Sequence, residues 1–294
     1  MQETIVHIAR GASALAELAA EAAVLDADER ARAARLRFDA DQEMYRAAHV
    51  LLRRALSLAV PLAPAQWRFV RGPHGRPEID GAACPDAAGL RFNLAHTRGL
   101  VCCALAWELP VGIDAECQRP MQDARAIAER FFAAEESAAV IASGAPGSPA
   151  EATTFRALWT LKEAYIKALG RGLSMGLDGF AFRLVGAPPA RIELRTGEGV
   201  AHPASHWRCL LLRIDDDRCT LAAAVPAIGG VRFQVFLHAG TGAGTDASDL
   251  RVAAISPGAA LLPVQVLPAS LIPAPVIPAP LIPAPVIPAS SPDG

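Results

Sequence analysis

Lysine occurs only twice in this chain, at Lys162 and Lys167; every other lysine-type or guanidinium cation is an arginine. An ammonium is a compact point charge with rotatable donors, suited to one phosphate oxygen, whereas a guanidinium is a planar fork that must be met edge-on. Retention of lysine here points to phosphate chemistry. Glu163 lies four residues before Lys167, so a helix sets the two on one face. Upstream, Pro110-Val111-Gly112-Ile113-Asp114-Ala115-Glu116 alternates as a strand does, placing Gly112, Asp114 and Glu116 on one face with the two acidic Cα atoms about 6.6 Å apart. Such carboxylates can converge on one divalent cation, and Mg²⁺ takes a few of them while keeping waters and substrate phosphate oxygens. His96, beside Thr97 and Arg98, adds a hydrogen-bonding ring at a polar turn. Taken alone, each feature has a plainer reading: an exposed ion pair, a hydrated acidic strand edge, a structural histidine at a strand end.

These groups need elements to position them. Phe155, Leu158, Trp159, Ile166 and Leu169 form one apolar helical stripe, with Lys162 in its middle and Glu163 and Lys167 along its margin. A lysine on such a stripe needs a partner, and Lys162 is expected to reach past the core to a cleft. Residues 26–58 read as one helix with a capping box from Asp39 to Gln42, carrying Arg35 and Arg37 before the cap and Arg53 and Arg54 near its end as solvated cations. Arg71-Gly72-Pro73-His74-Gly75-Arg76-Pro77 is a turn-rich loop whose backbone can approach an anion or a flat base. Residues 90–107 form two short strands around a turn, residues 121–142 are helical, and strands follow within residues 178–225.

A length of 294 residues allows about two domains, and a net charge of -2 supplies no basic field for nucleic acid. Charges or prolines interrupt every apolar run, so neither a membrane span nor a signal peptide is expected, and the compartment expected is the cytoplasm. The six cysteines show no CxxC or zinc-like spacing and read as reduced, mostly buried thiols. From about Ala239 the composition turns to Gly/Ala/Ser and then to Ile-Pro-Ala-Pro repeats, read as an extended low-complexity tail without a core.

Three blocks carry a family resemblance: Phe92-Asn-Leu-Ala-His96-Thr97, Val111-Gly-Ile-Asp114-Ala-Glu116, and Trp159-Thr-Leu-Lys162-Glu163-Ala-Tyr165-Ile-Lys167-Ala-Leu-Gly-Arg-Gly-Leu173. In this order and spacing they resemble the 4'-phosphopantetheinyl transferase superfamily, in the longer, monomeric type that activates peptide and polyketide synthases. The resemblance covers about residues 25–225. It implies an α+β fold of two similar α+β halves related by a pseudo-two-fold, with the active site in the cleft between them. Residues 1–108 would form the coenzyme A-binding half, 109–238 the half bearing metal and catalytic residues, and 239–294 the tail.

The implied reaction moves the 4'-phosphopantetheine arm of coenzyme A to a serine of an acyl or peptidyl carrier protein and releases 3',5'-ADP, with Mg²⁺, or Mn²⁺ in its place. By the same resemblance Asp114, Glu116 and Glu163 are metal ligands, and Glu163 and Lys167 are catalytic, as base and as cation on the leaving phosphate. Lys167 contacts the pyrophosphate, His96 the phosphates and Arg53 the 3'-phosphate; Arg35 and Arg37 fall in the basic segment before it, and Gly75, Arg76 and Pro77 match the loop beside the adenine. Ala95 replaces the family's usual serine, a loss of one phosphate hydrogen bond worth about 0.5–1.5 kcal/mol. Two other classes share these features: another Mg²⁺-dependent phosphate-ester enzyme, and a non-catalytic module that binds coenzyme A or a carrier protein. Orthophosphate release without an acceptor marks the first, and absence of turnover the second.

Overall fold

Leu100-Val-Cys-Cys-Ala-Leu-Ala106 and Leu221-Ala-Ala-Ala-Val225 are apolar on both alternating faces, as a strand must be when covered on two sides. In the computed structural model they are inner strands of two six-stranded sheets. The structure describes residues 1–72, 75–118, 123–170, 175–197, 203–215, 218–227, 229–240 and 250–268. The order is β1 (Gln2–Arg10), α1 (Ala12–Ala20), α2 (Ala27–Arg35), α3 (Asp39–Ala59), β2 (Phe69–Arg71), β3 (Pro77–Ile79), β4 (Leu90–Thr97), β5 (Leu100–Trp107) and β6 (Gly112–Cys117). There follow α4 (Ala124–Phe131), α5 (Ala134–Ala142), α6 (Pro149–Leu169), β7 (Phe180–Val185), β8 (Ala190–Thr196), β9 (Trp207–Ile214) and β10 (Cys219–Pro226). The last described strands are β11 (Val231–Ala239), β12 (Leu250–Ile255), β13 (Ala259–Leu261) and β14 (Gln265–Pro268).

The first sheet runs β13-β11-β1-β5-β4, with β14 also paired to β11, and the second runs β6-β10-β9-β12-β8-β7. Val6, Ile8, Cys102, Ile113, Leu212 and Leu221 form a core between the two sheets. On the outer face of the first, Leu15 and Leu18 of α1 pack with Leu51 and Leu56 of α3; on that of the second, Phe155, Leu158 and Leu161 of α6 pack with Val140 of α5. The result is a mixed α and β fold in four layers: helix, sheet, sheet, helix. Among the described residues no helix is long and apolar enough to cross a membrane.

Several sequence expectations are corrected. Residues 26–58 are two helices, because Leu36 and Phe38 adopt extended backbone between α2 and α3. The capping box belongs to Asp26, which accepts from Glu29 N at 2.8 Å while Glu29 accepts from Asp26 N at 2.9 Å. Asp39 instead sits in the first turn of α3, whose N-cap is Phe38. Extended Phe132 and Ala133 likewise divide the 121–142 stretch into α4 and α5, and residues 121 and 122 lie outside the described residues.

The chain after 239 is not simply a tail. Strand β12 lies inside the second sheet between β9 and β8 and buries Ala254, while β13 and β14 pair along β11. Flanking Gly/Ala/Ser and proline composition hides these short runs. Residues 241–249 and 269–294, including the Ile-Pro-Ala-Pro repeats, lie outside the described residues. Strand β11, near the end of the 109–238 stretch, pairs in parallel with β1 of the first sheet. Finally, Cys117 and Cys219, 102 residues apart, face each other across β6 and β10 as a disulfide, so two of the six cysteines are not thiols. Strand register makes that pair, and no spacing motif can reveal it; Cys84, Cys102, Cys103 and Cys209 are buried and free.

Candidate active site

Helix α6 lies directly on β6. A Cβ on Gly112 would stand 1.9 Å from the Ala164 carbonyl oxygen and 2.4 Å from the Ala168 nitrogen, so only glycine admits the helix this closely. Asp114 and Glu116 share the face of Gly112 and therefore turn toward α6, where Glu163 and Lys167 project one turn apart. Lys167 Nζ donates to Asp114 Oδ1 at 2.6 Å. Asp114 is buried, and its Oδ2 has no hydrogen-bond partner among the described residues. Burial raises the Asp114 pKa against the opposing pull of Lys167. Burial also raises that of Glu163, and the charges of Asp114 and Glu116 add to the rise while Lys167 opposes it. Four charged groups from one strand and one helix thus share a single electrostatic environment.

The first sheet meets this pair at its outer strand. Asn93 Oδ1 of β4 accepts from Ile113 N of β6 at 2.8 Å, and His96 stands further along β4. The rim of His96 is exposed; desolvation of the rest of the ring, then the charges of His49 and Lys167, lower its pKa, with Asp41 opposing. His49 is held from behind, its Nδ1 2.9 Å from Glu29 Oε1 and its ring stacked on Tyr45 at 4.1 Å. Arg76 does not extend from its loop toward open solvent. Its Nη1 donates to the Lys167 carbonyl at 2.6 Å, and its Nη2 donates to the carbonyls of Phe92 at 2.6 Å and Val111 at 2.8 Å. Gly75 turns the chain before it at φ 76°, and residues 73 and 74 lie outside the described residues.

Two sequence expectations fail at this site, the solvated state of Arg53 and Arg54 and the reach of Lys162 to a cleft. Arg53 is fully buried and spends its donors on Glu29, Asp26 and the carbonyls of Pro64 and Trp67, so no free donor faces a ligand phosphate. Neither it nor Arg54, buried and paired with Glu21, is a solvated cation. Arg35 and Arg37 are exposed at the α2–α3 junction, where Arg35 Nε donates to Ala31 O at 3.2 Å and the Arg37 guanidinium lies 5.2 Å from the Phe38 ring centre. Lys162 does not reach a cleft: it ends in the helical layer on the second sheet, against Glu136 Oε2 of α5 at 2.6 Å, and donates to the carbonyls of Leu177 and Phe180.

Among the described residues no three His, Cys, Asp or Glu side chains are gathered closely enough to hold a metal ion; Lys167 takes one oxygen of Asp114 instead. The donor chemistry nonetheless fits a hard divalent cation. Asp114, Glu116 and Glu163 offer only carboxylate oxygens, and the orphaned Asp114 Oδ2 is a buried acceptor awaiting a positive partner.

Residues 110–222 match the 4'-phosphopantetheinyl transferase superfamily, and residues 12–108 match the family described as 4'-phosphopantetheinyl transferase, N-terminal. The 4'-phosphopantetheinyl transferase HetI of Nostoc sp. is 33% identical over 208 residues, covering 71% of this chain and 81% of HetI. The chain belongs to the 4'-phosphopantetheinyl transferase superfamily. Among other relatives, Sfp of Bacillus subtilis is 33% identical over 57% of this chain and 66% of its own length, and psf-1 of Bacillus pumilus is 36% identical over 53% and 63%. The enzyme is therefore a 4'-phosphopantetheinyl transferase of the longer type.

Two residues beside the candidate site, Asn93 and His49, have no role legible in their local sequence. Asn93 lies inside the quoted block, but its tie to β6 depends on how two sheet edges meet. His49 carried no local signal, because its neighbour at the site, His96, comes from β4. Ala95 is buried in the core between the sheets, so its methyl group faces apolar side chains rather than solvent.

Proposed function

We propose that this transferase moves the 4'-phosphopantetheine arm of coenzyme A onto the serine hydroxyl of an acyl or peptidyl carrier protein, releasing 3',5'-ADP, where β4, β6 and α6 meet. The observation that carries the reading is Asp114, with one oxygen held by Lys167 and the other buried and unpartnered beside Glu116 and Glu163. The two sheet-and-helix layers are read as halves about a pseudo-two-fold, with the substrate at the rim where β4 meets β6 and α6, outside the packed core between the sheets.

Asp114, Glu116 and Glu163 would hold Mg²⁺, which when bound neutralises charge on the pyrophosphate oxygens. Glu163, its pKa raised by burial and by Asp114 and Glu116, takes the proton of the carrier serine. The serine oxygen then bonds to the β-phosphorus of coenzyme A, and the bond from that phosphorus to the bridging oxygen breaks. Lys167 Nζ, as a point charge near the leaving phosphate, stabilises the negative charge that develops there. His96, at the rim of β4, orients the phosphates.

Incubation with Mg²⁺, coenzyme A and a panel of apo carrier proteins should add one phosphopantetheine arm to a carrier, read by intact mass. Orthophosphate release with every carrier unmodified would overturn the reading. Asp114→Ala and Glu163→Ala should each lower the rate by at least about a hundredfold with a folded protein by circular dichroism; full activity in either would also overturn it.

A further inference from the structure

Arg76 joins three segments that each carry part of the site. Its Nη1 reaches the carbonyl of Lys167 at 2.6 Å; its Nη2 reaches the carbonyls of Phe92 on β4 at 2.6 Å and of Val111, just before β6, at 2.8 Å. Lys167 lies in the last turn of α6, which ends at Gly170 in the left-handed conformation, its amide donating back to the Ile166 and Lys167 carbonyls at 3.0 and 3.3 Å. The last carbonyls of a helix lack intrahelical donors and carry partial negative charge, so a guanidinium placed there caps the helix and favours its dipole. Arg76 does this from another part of the fold. Lys167 is consequently gripped twice: its carbonyl by Arg76 and its ammonium by Asp114.

We infer that Arg76 is a positioning residue for the transfer reaction, setting Lys167 and the start of β6 in register with β4 without touching substrate. This rests on the proposed reaction and on the role of Lys167 in it. A lysine could not do the same work, since a single ammonium does not present two parallel edges to three carbonyls. Beside Arg76, a cavity of about 290 Å³ bounded by Phe92, Pro110, Ala168, Leu169 and Gly170 leaves an approach to those carbonyls. A small cation could enter by it.

The test measures kinetics and amide hydrogen exchange on the full chain. Arg76→Ala should lower kcat about tenfold or more while KM for coenzyme A changes less than about threefold. Added guanidinium chloride at low millimolar concentration should restore part of kcat, and Arg76→Lys should remain impaired. A rise in coenzyme A KM with unchanged kcat would instead make Arg76 a ligand contact, and wild-type kcat in Arg76→Lys would remove the need for the fork; either overturns the inference. Independently of turnover, amides of residues 166–170 should exchange faster in Arg76→Ala, or in Arg76→Lys if the alanine variant does not fold. Unchanged exchange there overturns the inference. A wild-type protein that modifies no carrier would sink the functional reading alone, leaving the exchange result to decide on Arg76.

Discussion

Lys162 and Lys167 are five residues apart on α6 and have opposite fates. Lys162 is fully buried against Glu136, with the Phe180 ring centre 4.1 Å from its ammonium. Burial lowers the Lys162 pKa and raises that of Glu136, while their mutual attraction opposes both shifts. Breaking such a pair leaves an uncompensated charge, so Glu136→Ala should cost about 3–5 kcal/mol of stability, whereas the double variant Glu136→Leu/Lys162→Met should recover only the part due to that charge, because the amides of Ala133 and Phe182 lose Glu136 and the carbonyls of Leu177 and Phe180 lose Lys162. Urea midpoints of the three proteins measure this; a double variant no better than the single one would refute it. Lys167 is part-exposed and touches Asp114, and Lys167→Arg should lower turnover with little change in midpoint, because a planar fork cannot replace a point charge on one phosphate oxygen. An unchanged rate would refute the phosphate role of the lysine. At this scale the sequence showed that Lys162 needed a partner but not which one. Glu136 comes from another helix, just as Glu29 comes from another helix to neutralise Arg53, and these long-range partners are what hold both cations in the core.

Among elements, the β6–α6 contact decides the geometry of the site. Gly112→Ala would drive a methyl group into backbone atoms of α6, which cannot yield as a flexible side chain can. Overpacking of this kind costs about 1–3 kcal/mol, and the helix should move away from β6, separating Glu163 and Lys167 from Asp114. The variant is expected to lose turnover by a larger factor than it loses folded population at the assay temperature, as circular dichroism and single-turnover rates would show. Equal losses would mean that the helix had not moved. Much of this was legible: alternation put Asp114 and Glu116 on one face, and helical spacing put Glu163 near Lys167. The closeness of the two elements was not, since a lone glycine in a strand does not say what approaches it. Strand β12 was hidden for a different reason, its six residues being bracketed by stretches whose composition suggests no structure at all.

At the scale of the whole molecule, β11 ties the end of the described chain to its beginning. On the helix-facing side of that junction His7 Nδ1 and His238 Nε2 are 2.9 Å apart, both buried, with the His7 ring stacked on Phe236. Burial lowers both pKa values, that of His238 to about 4 with a further contribution from Arg54, and His238 adds to the lowering at His7. Their unfolded values lie near 6.5, so below that pH the unfolded chain binds more protons. Stability from the pair is therefore full above pH 6.5 and declines as pH falls toward about 4, by a loss on the order of 3 kcal/mol for His238 alone. Urea midpoints should fall across this window, and His7→Phe/His238→Leu should flatten the slope, since replacing both partners leaves no polar atom of the pair unsatisfied. Parallel slopes in the two proteins would refute the assignment.

That junction also has a consequence for how the protein is made. Strand β1 leaves the ribosome well before its parallel neighbour β11, which follows only after both helical layers and the whole of α6 have been translated. Until then one edge of β1 presents unpaired amides and carbonyls beside a nearly complete hydrophobic layer, a template for pairing with another chain. The nascent first half must wait for the second, and a ribosome stalled near residue 225 should expose a chaperone-binding edge that disappears once residue 239 has cleared the exit tunnel.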